Sequence, residues 1–205
     1  MKAGARDAVA ELLENHGTTY AEAAGIRLTD KPSPLYQLLV LTMLSSTRIS
    51  ADIAVAAARE LFHAGWRTPE KMRGATWQQR VDALGRAGYR RYDESTSTKL
   101  EEGANHVLDA HGGDLRKVRP ADHDHVDDLL SAIAEVPRIG PTGARIFARE
   151  VQGVWPEVSP FFDDRALATA KHLGLPMDPA ELGSLAPGNR VAQLATALVR
   201  AELDH

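Results

Sequence analysis

Apolar residues recur at three- and four-residue intervals along nearly the whole chain, and strictly alternating runs are scarce. The pattern predicts about ten helices and no strand. Ser33 followed by Pro34 reads as an N-cap with proline in the first helical position. The segment after it, PLYQLLVLTMLSS, is apolar nearly all round and is expected at the centre of the fold. SADIAVAAARELFHAG follows, capped by Ser50 and stopped by Gly65. TPEKMRGA and TWQQRVDALGRAG each open on a threonine, and YDESTSTKLEEGANHVLDAHGG is a longer helix with a polar beginning. HVDDLLSAIAEV and PTGARIFAREV flank a tight turn. VWPEVSPFFDDR is a proline-containing linker, and DRALATAKHLGL and VAQLATALVRAEL complete the pattern. The fold class expected is all-α, with short connections that favour antiparallel neighbours.

The turn, EVPRIGPTGARIF, carries unusual chemistry. Val126, Leu129, Leu130 and Ile133 form one stripe and Ala144, Phe147, Ala148 and Val151 another, so the few residues between must reverse the chain. Gly140 supplies positive φ and Pro141 has no N–H to lose at a helix start. The first N–H groups of the second helix then point outward with the positive end of the helix dipole, a setting suited to a phosphate. Arg145, one turn in, adds a charge-assisted donor. A plain αα-hairpin would use the same punctuation.

Charge sharpens this picture. The 205 residues carry a net charge of −4, which by itself argues against a nucleic-acid partner. The distribution is uneven: residues 59–91 hold eight Lys/Arg against three Asp/Glu, and residues 136–150 three Arg against one Glu. A local basic face is compatible with a negative total. There is no cysteine, which excludes disulfides, thiolate catalysis and cysteine-bound zinc or iron–sulfur clusters. No apolar run approaches a membrane span, and MKAGARDAVAELLENHG lacks a signal-peptide core, so a cytoplasmic location is expected.

Three stretches together resemble the helix–hairpin–helix DNA glycosylase superfamily, which includes endonuclease III, the adenine glycosylase and 3-methyladenine glycosylase II. PLYQLLVLTMLSSTRIS resembles the helix that opens the family's central barrel, EVPRIGPTGARIF its hairpin, and SPFFDDRALATAKHLGL the loop and helix bearing its essential aspartate. Order and spacing match from about residue 30 to 175. The resemblance implies a two-lobe architecture: a central helical barrel over 31–154 ending in the hairpin, and a second lobe of 1–30 plus 155–205. It also implies base-excision repair, with hydrolysis of the N-glycosidic bond of a damaged or mispaired base in double-stranded DNA. It names no membrane and no obligate protein partner.

Residue by residue, it places Arg138, Gly140, Thr142, Gly143 and Arg145 on the DNA backbone. It places Ser46, Thr47, Arg48, Tyr89 and Phe162 at the lesion pocket or as intercalating groups. A carboxylate stabilises the oxocarbenium-like transition state and orients water. The resemblance implies Asp164 as that carboxylate rather than Asp163, because the family's aspartate is followed three positions on by a branched apolar residue, here Leu167, although either aspartate would also serve as an N-cap.

Departures from the pattern bear on activity. Arg138 stands at the family's first hairpin glycine, Thr142 at the Schiff-base lysine, and Thr47 at a lesion-side glutamine; the cluster loop is missing. A monofunctional glycosylase without a cofactor is implied, and the hairpin remains compatible with a monovalent cation. A non-enzymatic protein binding distorted DNA, a glycosylase/AP lyase using Lys99 or the N-terminal amine, and a helical protein-interaction module are the competing readings. Tyr92, Arg90 and Arg91 beside Tyr89 suit base stacking or plain packing. The HDHVDD segment reads as an acidic helix start rather than a metal site; no metal is expected.

Overall fold

The computed structural model describes residues 2–203. Its helices are α1 (Lys2–His16), α2 (Tyr20–Ala23), α3 (Pro32–Ser45), α4 (Ala51–His63), α5 (Pro69–Gly74) and α6 (Trp77–Arg86). They continue with α7 (Asp93–His111), α8 (Val126–Ala134), α9 (Pro141–Val151), α10 (Asp164–His172), α11 (Pro179–Gly183) and α12 (Val191–Leu203). No strand occurs among the described residues, so the chain is all-α. None of these helices is long and apolar enough to cross a membrane.

Local signals set most of the boundaries. The side chains of Ser50, Thr68 and Thr76 accept from the backbone N–H three residues on and cap α4, α5 and α6. α7 begins at Asp93 and ends where Gly112 turns left-handed at φ 62. α3 corrects the expectation. It starts at Pro32, not after Ser33, because both Pro32 and Pro34 fall in the first turn, where a missing N–H costs nothing. Ser33 Oγ instead donates to the Arg67 carbonyl at 3.0 Å. α2 and α11 are too short for periodicity; each announces itself only by a cap, at Thr19 and Asp178.

The buried apolar side chains gather into two clusters. The first surrounds α3, whose Leu35, Leu38, Leu39, Leu41 and Leu44 are almost wholly buried, and takes in α4, α7, α8 and α9. The second joins α1, α10 and α12 through Val9, Leu13, Ala166, Ala170, Leu194 and Leu198. Tyr20, Ala21, Ala24 and Ile26 pack on the first cluster, although the family resemblance implies a second lobe that includes 1–30. α12 also touches α9, so the clusters meet along that helix. A polar latch holds the linker: Trp155 Nε1 donates to Asp30 at 2.8 Å, and Arg119 bridges Asp30 and Glu157 at 2.7 and 2.6 Å.

One of the eight basic residues of 59–91 contributes nothing to a surface field. Arg80 is fully buried and donates to the carbonyls of Met72, Ala75 and Ser97 and to Glu101. It satisfies the carbonyls at the end of α5 and ties that helix to α7.

Candidate functional site

The hairpin forms between α8 and α9. Ile139 donates its N–H to Val136, and its side chain is buried beneath the turn. Gly140 sits at φ 56, ψ −175, a region open essentially to glycine alone. Arg138 takes φ 75, so the left-handed turn is kept at a position where a side chain costs energy. Its guanidinium donates to Ser95 Oγ at 2.7 Å and so reaches the start of α7. No side chain caps α9, and the first intrahelical bond is that of Ala144 N–H to the Gly140 carbonyl at 3.0 Å. The N–H groups of Thr142 and Gly143 precede it and remain open donors.

Gly143 serves a packing role. A Cβ there would lie 2.5 Å from Ser46 Oγ and 2.8 Å from Ile139 Cγ2. The start of α9 is therefore pressed onto the end of α3, which brings the hairpin beside Ser46 and Thr47. Ser46 Oγ is occupied by the Thr42 carbonyl at 2.7 Å. Thr47 Oγ1 and Tyr89 Oη lie 2.6 Å apart, and both reach the Leu44 carbonyl. Tyr89 is fully buried, and burial pushes its phenol pKa up. It braces the end of α3 rather than offering a ring to a base. Phe162 likewise belongs to the second cluster, at 5% exposed. Arg48 is exposed beyond the helix end, with Arg90 and Arg91 also at the surface. Lys99 pairs with Glu102 at 2.5 Å on α7, and Met1 lies outside the described residues.

A cleft of about 960 Å³ opens where the two clusters meet. Thr142 and Arg145 of α9 form one side of it. Asp163 and Asp164, at the start of α10, also line it. The two aspartates are in opposite states. Asp163 caps α10, with Oδ1 accepting from Ala166 N–H at 2.9 Å and Oδ2 from Arg149 Nη1 at 2.5 Å. Its side chain is 8% exposed, that of Asp164 89%. The only ion-pair neighbour of Asp164 among the described residues is Arg145, at 3.9 Å. The preceding loop is tied to α9: the Gln152 side-chain amide donates to the Phe161 carbonyl at 2.7 Å and accepts from its N–H at 2.8 Å.

The remaining wall was not anticipated from sequence. Two guanidinium groups stand over the Tyr20 ring, Arg200 at 4.3 Å and Arg149 at 5.6 Å from its centroid. Buried Glu150 accepts from the N–H groups of Tyr20 and Ala21 and from Thr196 Oγ1, fixing this segment against α12. Thr19, which caps α2 within the capping box ahead of Tyr20, is the one local signal in this region. Elsewhere, His125 pairs with Asp122 at 2.6 Å, and no group of three His, Asp or Glu among the described residues is arranged to hold a metal.

No protein-family model matches the sequence, and no curated protein matches it. Solved structures similar in three dimensions include two complexes of endonuclease III with DNA. One is a trapped endonuclease III–DNA covalent intermediate, an estranged-adenine complex, with TM-score 0.55; the other is a non-covalent endonuclease III–DNA complex, with TM-score 0.57. Each is 15% identical, and each match covers 97% of this chain and 84% of the other. The chain has the endonuclease III fold. At this identity the likeness extends to architecture, so the chemistry of the cleft rests on the side chains described above. Here the start of the hairpin helix and the aspartate pair line the same cavity.

Proposed function

We propose that the protein is a monofunctional DNA glycosylase, which hydrolyses the N-glycosidic bond of a damaged or mispaired base in duplex DNA. The observation that carries this reading is the placement of an exposed carboxylate, Asp164, in the same cleft as the open helix N-terminus at Thr142 and the guanidinium of Arg145. The open N–H groups and Arg145 grip the phosphate backbone without reading sequence. The target nucleotide rotates out of the stack into the cleft. As the C1′–N bond breaks, its electron pair leaves with the base and positive charge builds on the sugar. Asp164 stabilises that charge and orients the water whose oxygen joins C1′; the water's proton ends on the departing base. Asp163 is unsuited to this step, since both its oxygens are engaged and it is buried.

The monofunctional part is supported by the lining of the cleft. No lysine is among the described residues that line it, and its cations are arginines, which do not form Schiff bases at neutral pH.

The test is incision of duplexes each carrying one lesion, by wild type and Asp164→Asn. Strand breaks that need hot alkali and vanish in the variant support the reading. Breaks without alkali, together with a borohydride-trapped covalent adduct, would replace it with a lyase. No product on any lesion, with salt-dependent binding intact, would replace it with a protein that binds distorted DNA.

A further inference from the structure

Of the four arginines of the cleft, one has no carboxylate partner among the described residues. Arg145, Arg149, Arg165 and Arg200 all line it. Arg149 is spent on Asp163, and Arg165 on Glu202 at 2.8 Å. Arg145 stands toward Asp164. Arg200 pairs with no carboxylate among the described residues; its guanidinium carbon lies over the Tyr20 ring, 4.3 Å from the centroid, and its Nε is buried without a partner. The Nε of Arg149, whose guanidinium carbon is 5.6 Å from the centroid of the same ring, is also buried and unpartnered, in a side chain 3% exposed. The nearby carboxylate, Glu150, is consumed by two backbone N–H groups and Thr196. Tyr20 itself stays neutral at physiological pH, because burial raises its pKa, so it does not offset the two cations.

A guanidinium stacked on a ring keeps its planar fork of N–H donors at the edge, where it matches paired acceptors. Resting on the glycosylase reading, we propose that Arg200 is the base-reading residue of the cleft. It selects neutral bases that present carbonyl acceptors, such as uracil or hypoxanthine, over bases that carry a formal positive charge, such as N-alkylated purines. A neutral oxo-base leaves with the bonding electron pair, and the negative charge spreads onto its carbonyl oxygen. The Arg200 fork donates to that oxygen, and the donation strengthens as the bond breaks. A cationic base leaves neutral, so no negative charge builds on its carbonyl oxygen for the fork to stabilise, and the fork repels it in the ground state.

The experiment compares wild type, Arg200→Gln and Arg200→Lys in two assays. In single turnover, uracil and hypoxanthine duplexes are set against 7-methylguanine duplexes. Wild type is expected to release the oxo-bases, and Arg200→Gln to slow that release by about 10²-fold, the usual cost of one donor aimed at a developing oxyanion. Arg200→Lys keeps the charge, loses the fork and falls between. Binding is read separately by anisotropy on duplexes with one 2′-fluorinated nucleotide, which resists hydrolysis, bearing hypoxanthine or adenine. A wild-type preference for hypoxanthine of about fivefold or more, erased in Arg200→Gln, supports the inference even where nothing is excised; in that case only the glycosylase reading fails. Preferential release of 7-methylguanine, or equal binding of the two bases, overturns the inference while leaving any observed excision intact. Thermal melting of each variant separates a lost contact from a lost fold.

Discussion

Arg149 and Asp163 form a salt bridge at 2.5 Å in which both side chains are almost fully withdrawn from solvent, while Asp164, one residue on, stands exposed. The adjacency makes a clean experiment of two similar substitutions. Asp163→Asn leaves a buried guanidinium without its counter-charge, at a cost of about 3–5 kcal/mol. In a chain of this size that lowers Tm by about 10 °C. Asp164→Asn removes only a loose ion pair with Arg145, at 3.9 Å, and is expected to leave Tm within about 1 °C, while slowing base release by about 10²–10⁴-fold. Melting curves and single-turnover excision check both. A stable Asp163→Asn protein lacking activity, beside an active Asp164→Asn protein, would reverse the assignment.

Gly143 makes a second test, of the contact that seats the hairpin on the end of α3. Gly143→Ala would place a methyl 2.5 Å from Ser46 Oγ and 2.8 Å from Ile139 Cγ2. The expected loss is about 1–3 kcal/mol, with weaker DNA binding because the first turn of α9 shifts. Adding Ser46→Ala removes the nearer clashing atom and should recover part of the stability. Chemical denaturation of the single and double variants measures this coupling, and strict additivity would count against the contact.

Much of the fold was legible because its signals are local. The capping side chains of Ser50, Thr68 and Thr76 mark helix starts, and Gly140–Pro141 fixes the start of α9. In the cleft, the hairpin and the aspartate pair lie near one another in sequence and carry recognisable residue types. The Tyr20 wall was not legible. Its partners are 130 residues and more away, at Glu150 and Arg200, and no spacing rule connects them. Tyr89 and Phe162 show the converse: an aromatic beside arginines or aspartates has no readable direction, and both turn inward. Arg80 was counted as surface charge for the same reason.

The exposed pair of His125 and Asp122 gives a pH-dependent observable. The hydrogen bond to Asp122 raises the His125 pKa, and the same bond lowers that of Asp122. The histidine's contribution is present below its unfolded pKa and lost as pH rises through the raised folded value. The aspartate's is present above its unfolded pKa and lost as pH falls through the depressed one. The pair therefore acts in the window between them. In Asp122→Asn, the ring midpoint of His125 should fall toward about 6.5, the ordinary value for histidine. Proton NMR titration of the ring follows it, and an unmoved midpoint would mean that the bond is not formed in solution.

Arg138 supports a prediction of opposite sign, a substitution that stabilises. Its φ of 75 places a side-chain-bearing residue in the left-handed region, which costs about 1–2 kcal/mol relative to glycine. The compensating bond to Ser95 Oγ is exposed and contributes about 0.5–1.5 kcal/mol, while its Nε is buried without a partner. Arg138→Gly relieves the backbone and removes the unsatisfied donor, so the melting temperature should rise by about 2 °C. DNA binding separates structural from functional reasons for keeping arginine there. If Arg138 contacts a phosphate, the more stable variant binds DNA more weakly, and the slope of log affinity against log salt falls by about one unit. An unchanged slope with raised stability would assign Arg138 to the tie between the hairpin and α7, and leave the backbone grip to Arg145 and the open end of α9.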